Sequence, residues 1–269
     1  MTRTLSFPRY APAMRHKSVA AHMQRQQAGF TLVELMVGLT IGLLVAIAAM
    51  GSLIFTQISS KSVGDSTRMQ QDAATIFRIV GFHLREAGAV RIIAATPGTE
   101  NVVFTASFNG FGTTGFAITG TEGAAGAPDV LNVSHDIAPE LDARDCLGNA
   151  PAAGAVRIDN SFAVNNQAEL TCTGTSALVG AQPIALGVED LQVTYGVRTG
   201  GSVQFFSANG ILSWDSVESV RICLQMSGET AGNPNPTVAI VGCNGAAVAA
   251  DGRIRRVFRN TFNLRNLQS

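Results

Sequence analysis

The chain has 269 residues, 46% of them apolar and 14% charged, with 28 glycines and few aromatics. Its formal charge of zero hides an asymmetry: five bases (Arg3, Arg9, Arg15, Lys17, Arg25) and no acid lie in the first 29 residues, so the rest stands at 14 basic against 19 acidic, or −5. A mildly acidic body excludes an electrostatic footprint for nucleic acid, and the length allows one domain with appendages or two small ones.

The basic leader holds no apolar stretch. Gly29-Phe30-Thr31-Leu32-Val33-Glu34-Leu35-Met36 then opens a run that carries no further charge as far as Ile58. An ordinary secretory signal would place a shorter apolar core before a small-residue cleavage site. Ala46-Ile47-Ala48 has that form, but the run continues through Met50, Leu53, Ile54 and Phe55. As a helix, Leu35–Ser60 would be ~39 Å long, against a hydrocarbon core of ~30 Å. The basic flank keeps the N-terminal end in the cytoplasm and puts the body outside. Glu34 is the odd residue, because a carboxylate in an apolar helix is costly in lipid unless it stays near the interface or finds a partner. The positive end of the helix dipole would tolerate it, but gives no reason for its place beside Gly29-Phe30.

Gly29-Phe30-Thr31-Leu32-Val33-Glu34, with a basic leader before it and an apolar helix after it, resembles the class III signal of type IV pilins and type II secretion pseudopilins. The resemblance implies that a prepilin peptidase cuts between Gly29 and Phe30 and methylates the new N-terminal amine of Phe30. Glycine suits such a site because it places no side chain at the scissile bond. Glu34, fifth in the mature chain, would then pair with the N-terminal amine of a neighbouring subunit. A lone carboxylate in a low-dielectric bundle is strongly destabilising, whereas a paired one sets axial register. Met14 and Met23 are alternative starts that would shorten the leader.

Helical periodicity continues beyond the apolar run. Met69, Ala73, Ile76, Phe77, Val80, Leu84 and Ala87 recur at steps of three and four, opposite Gln70, Gln71, Asp72, Thr75, Arg78, Arg85 and Glu86. Gly88 stands where a C-cap glycine belongs. A helix from about Phe30 to Ala87 is predicted, with a bend where Ser59–Ser66, including Gly64, is poor in strong helix formers. Strands are predicted at 102–107, 130–133, 155–158, 161–164 (after an Asp159-Asn160 turn), 169–172 and 187–198. Others follow at 203–206 (across Thr199-Gly200-Gly201-Ser202), 217–226, 237–241 and 254–264. Gly120–Pro128 and Gly228–Pro236 read as loops. The four cysteines, Cys146, Cys172, Cys223 and Cys243, follow a membrane-type run in even number and suggest two disulfides. Of three pairings, order and spacing favour Cys146–Cys172 and Cys223–Cys243.

The expected fold class is α+β: a long N-terminal α-helix, membrane-spanning in its first half and amphipathic in its second, packed on an antiparallel β-sheet domain. The expected boundaries are a leader at 1–29, a filament-core helix at 30–60, its amphipathic continuation at 61–88 and a β-rich extracytoplasmic domain at 89–269. Val188-Glu189-Asp190-Leu191-Gln192-Val193-Thr194-Tyr195-Gly196-Val197 is similar to the PilW class of minor pilins. So are Ser219–Leu224 and the ending that opens with Asp251-Gly252-Arg253-Ile254-Arg255-Arg256-Val257-Phe258.

Other chemistry is discounted. Gly110-Phe111-Gly112-Thr113-Thr114-Gly115 matches a dinucleotide fingerprint, but no helix can start at it. His83 reads as a surface or groove residue, and His135, with Asp129, Asp136, Glu140, Asp142 and Asp145, as part of a solvated acidic loop without Ca²⁺ spacing. Arg253, Arg255, Arg256, Arg259 and Arg265 read as the outer face of a strand. No nucleophile motif is present.

The resemblance implies a structural subunit, not an enzyme, that helps prime a type IV pilus and supports biogenesis, twitching motility and adhesion. Expected partners are other minor and major pilins, prepilin peptidase, the inner-membrane assembly platform and the membrane. No cofactor, metal, nucleic acid or small-molecule substrate is expected. The chain would sit in the inner membrane with a cytoplasmic N-terminus and periplasmic body before joining the filament near its tip. The alternatives are a type II secretion pseudopilin and, less favoured, a membrane-anchored extracytoplasmic enzyme or binding protein.

Overall fold

The computed structural model describes residues 29–90, 92–94, 102–104, 116–137, 143–151, 157–175, 180–229, 231, 233 and 237–267. The leader up to residue 28, the 110–115 glycine motif, Glu140 and Asp142 lie outside them. The chain divides between Ser52 and Leu53 into two compact units.

One helix, α1, runs from Leu32 to Glu86. Its start is set locally: the Glu34 N–H donates to Thr31 Oγ1 at 3.2 Å and the Leu35 N–H to the Thr31 carbonyl at 3.1 Å. Thr31 is therefore the N-cap, and Glu34 occupies the third helical position, as in a T-x-x-E capping box. No proline interrupts the next 55 residues. The expected bend at Ser59–Ser66 does not break the helix, which continues through Gly64, and Thr67 Oγ1 donates back to the Val63 carbonyl at 2.9 Å. At the other end Gly88 adopts φ +71, the left-handed cap conformation.

Thirteen strands are described. The short ones β1 (Ile92–Ala94) and β2 (Val102–Phe104) pair with each other. Strands β3 (Ile118–Thr121), β4 (Val130–Asp136), β5 (Arg157–Val164), β6 (Glu169–Thr173) and β7 (Gln182–Leu186) form an antiparallel sheet in sequence order. A second antiparallel sheet uses β8 (Val188–Thr199), β9 (Ser202–Phe206), β10 (Val217–Ser227) and β13 (Arg255–Asn263), in the order β13-β10-β8-β9. Between them in sequence, β11 (Ile240–Val241) and β12 (Ala247–Val248) make a small ribbon. The β8–β9 hairpin turns on Gly200 (φ +59) and Gly201 (φ +87), the conformation a two-residue hairpin requires at both central positions.

The stripe read from the sequence is the face that packs. Met69, Ala73, Ile76, Val80, Leu84 and Ala87 are buried in one cluster with Leu131, Val133 and Phe162 of the first sheet and Leu191, Val193, Val220, Ile222 and Leu224 of the second. Asp129 ties the sheets together: its backbone N–H donates to the Leu191 carbonyl at 2.7 Å, and its carboxylate accepts from the Gly123 and Val193 N–H groups, each at 2.8 Å.

Several expectations need correction. Asp159-Asn160 is not a turn, because β5 runs straight through it, with Asn160 buried and hydrogen-bonded across the core. Residues 118–121, partly read as loop, form β3; Gly120 fits there because the Tyr195 hydroxyl occupies the space a Cβ would take. The unpredicted β7 contains Pro183, which a sheet tolerates at an edge strand. The 237–241 strand shrinks to Ile240–Val241.

Candidate functional site

The residues singled out at the N-terminus sit at a helix start that is open on every side. Gly29 and Phe30 precede the helix, and Phe30 is 82% exposed. From Leu32 to Ile58 the large apolar side chains, Leu35, Leu39, Leu43, Leu44, Ile47, Met50, Leu53 and Phe55 among them, are all exposed. A helix that is apolar all round has no folded state in water unless lipid or other helices cover it. Its interior polar atoms are already satisfied: Thr40 Oγ1 donates to the Val37 carbonyl at 2.9 Å. Glu34 is different. Its backbone is spent on Thr31, while its carboxylate is exposed at the positive end of the helix dipole. The chain thus presents an apolar rod with one acid near its tip.

The second half of α1 builds a seam with the first sheet. The Gly88 N–H donates to the Ser134 carbonyl at 3.0 Å, and Asn266 Nδ2 donates to the Arg85 and Ala87 carbonyls, each at 3.2 Å. The two Asn266 bonds take up carbonyls that the helix end leaves free. His83, expected at the surface or in a groove, lies inside this seam and is 3% exposed. Asn160 accepts the Cys146 N–H at Oδ1 (2.8 Å), which turns its Nδ2 toward His83 Nδ1 at 3.1 Å. Burial pushes the His83 imidazole down to about 4; nearby His135 adds to the fall and Asp145 opposes it.

His135 is likewise buried, on β4, and its ring stacks on His83 with centroids 6.2 Å apart. Among the described residues, two of the acids expected in a solvated loop around it are buried instead. Asp129 is buried between the sheets, and Asp145 is buried with Oδ1 accepting from the Leu147 and Asn149 N–H groups. Burial raises Asp129, against the pull of its two backbone donors. The alternation Leu131, Val133, His135 along β4 was the signal that placed this imidazole on the core face.

The cysteines join as Cys146–Cys172, with Cα atoms 6.4 Å apart, and Cys223–Cys243, at 5.6 Å. Near the second disulfide, the basic C-terminal residues divide. Arg255 is not on an outer face: it donates to Glu189 Oε2 at 2.7 Å and to Asp251 Oδ1 at 2.6 Å, and Arg253 donates to Glu189 Oε1 at 3.1 Å. Arg256, Arg259 and Arg265 are exposed. Burial pushes the Glu189 carboxyl up, but the hydrogen bonds from Arg255 and Gln225 outweigh it and hold the group below its ordinary value.

Comparison with known proteins agrees with this geometry at both ends of the chain. Residues 24–50 match the prokaryotic N-terminal methylation motif, and residues 158–266 match the family described as Type IV pilus-assembly protein W. No curated protein matches the chain. Among solved structures, a type IV-like pilin from Thermus thermophilus aligns with a TM-score of 0.44 at 13% identity, over 74% of this chain and 98% of that one.

An exposed apolar helix under a methylation motif, continued as an amphipathic helix on antiparallel sheets, defines a single-pass type IV pilin-like subunit of the inner membrane. The PilW match over β5 to β13, together with the methylation motif, supports a minor pilin of the PilW class that takes part in type IV pilus assembly beside other pilins.

Proposed function

We propose that the chain is cut between Gly29 and Phe30 by prepilin peptidase, methylated on Phe30, and drawn from the inner membrane into a growing filament. There residues 30–60 enter the core and Glu34 neutralises the N-terminal amine of a neighbour. The observation that supports this most strongly is the rod itself: an uncovered apolar helix that carries a single carboxylate at its third position. Once the rod leaves lipid, only other apolar helices can cover it. In that low-dielectric bundle Glu34 needs a cation at fixed height, and a new N-terminal amine on each subunit provides one.

On this reading residues 61–88 carry the periplasmic domain, residues 89–269, on the filament's outside. The assembly platform of the inner membrane would receive the chain with the other minor pilins. Its place would be near the tip, where it primes growth and so supports twitching motility and attachment. The family match favours a pilus over a secretion pseudopilus.

Glu34→Ala tests the register claim. The variant should fold, remain in the inner membrane and be processed, yet appear in sheared filaments at roughly a tenth of the wild-type level or less, as expected for a loss of about 1.4 kcal/mol or more at the packing step. Immunoblots of membrane and filament fractions read both quantities. Wild-type incorporation of Glu34→Ala would remove Glu34 from the mechanism.

A further inference from the structure

The seam between α1 and the first sheet gathers three side chains with metal-binding chemistry. His83 and Glu86 stand three residues apart on α1, on one helix face, and His135 meets them from β4. One donor atom from each lies within 4.8 Å of the others. His135 supplies the decisive geometry. Its Nδ1 lies 3.3 Å from the Asp136 carbonyl, which can only accept, so Nδ1 carries a proton and in the neutral ring the lone pair sits on Nε2. That Nε2 is buried and has no hydrogen-bond partner, in a residue 4% exposed. Glu86 Oε2 lies 3.4 Å from it. A lone pair turned toward a carboxylate is unfavourable unless a proton or a metal ion stands between them. An imidazole oriented through Nδ1 by a backbone carbonyl, with Nε2 free, is also how metal-bound histidines are held.

We propose that His83, Glu86 and His135 bind one divalent transition-metal ion, Zn²⁺ or a close neighbour, which clips the last turn of α1 to β4. Two imidazoles and a carboxylate suit such an ion, whereas Ca²⁺ and Mg²⁺ take oxygen ligands. Bonds of ~2.0–2.2 Å require the three donors to draw closer than they stand. Glu86 can close the gap, since its side chain is 38% exposed, and that exposed side gives the ion its way in. Asn160 sets the cost. Its Nδ2 faces His83 Nδ1 while its Oδ1 holds the Cys146 N–H, so the amide must turn or yield when His83 coordinates. The clip would sit beside the bond from Gly88 to Ser134 that already docks the helix end.

The test uses the full chain in detergent, stripped with chelator and titrated with ZnCl₂ by calorimetry, with CoCl₂ absorption as the spectroscopic readout. The expected result is saturation at one Zn²⁺ per chain, Co²⁺ d–d bands that Zn²⁺ displaces, and a rise in thermal midpoint that CaCl₂ does not give. Glu86→Gln, at a half-exposed position, should keep the metal-free midpoint and weaken binding by roughly tenfold or more. His135→Gln should do the same or remove binding altogether. Absence of saturable Zn²⁺ binding overturns the proposal. So does undiminished binding in folded Glu86→Gln, which would place the ion elsewhere, for instance on His16 and His22 of the leader.

Discussion

The two halves of α1 should respond in opposite ways to the same substitution. Leu84 is fully buried between helix and sheets, and Leu44 is 68% exposed. Leu84→Ala removes three carbons, worth about 2.4 kcal/mol of transfer free energy at ~0.8 kcal/mol each. A residual cavity of up to ~80 Å³ would add at most about 2 kcal/mol at ~24 cal/mol per Å³. Partial collapse brings the expected loss to about 3–4 kcal/mol, or about 10 °C in midpoint for a domain of this size. Leu44→Ala should change domain stability by less than about 0.5 kcal/mol, yet reduce incorporation into filaments. Trp214, the one tryptophan of the chain, packs edge-on against buried Tyr195 with centroids 4.8 Å apart, so its fluorescence follows urea unfolding of the domain. A cost below about 1 kcal/mol for Leu84→Ala would refute the seam as the anchor of the sheet domain. An equal cost for Leu44→Ala would refute the division of labour along the helix.

The Cys223–Cys243 bridge spans 20 residues, so replacing both cysteines with serine should cost about 3 kcal/mol in the chain-entropy account, read as a lower urea midpoint. Glu189→Gln should be destabilising at pH 7, because it removes the more buried of the two carboxylates, Glu189 and Asp251, that Arg253 and Arg255 share. A carboxyl held below its ordinary value stabilises the fold above its unfolded pKa and loses that contribution as pH falls through the folded one. The gap between wild type and Glu189→Gln should therefore shrink as pH drops below about 4.5, the ordinary value for this group. Urea midpoints at neutral and acid pH measure it, and a gap that stays constant would deny the ion-pair cluster its role.

What was legible in the sequence was carried by periodicity and by local chemistry. The stripe from Met69 to Ala87 needed only steps of three and four, and each step landed on a buried residue apart from Phe77, which is partly buried. The Gly200-Gly201 turn is local too, so short-range rules reach it. The errors came where distant segments decide. Asp159-Asn160 has the composition of a turn, but Asn160 gains partners from the Cys146 loop and from His83 on the helix, and those bonds keep the strand extended. His83 and His135 meet only because the end of α1 docks on β4, and no spacing along the chain encodes that. Arg255 shares a strand with exposed arginines, yet faces Glu189 of β8, a pairing set by sheet order.

The mass of the mature N-terminal peptide tests the central claim most directly. In cells with prepilin peptidase it should begin at Phe30 and be one methyl group heavier than the unmodified sequence; in cells without the enzyme the leader should remain attached. A chain that begins elsewhere in both, or keeps its leader in both, would contradict the view that this helix is prepared for the core of a filament.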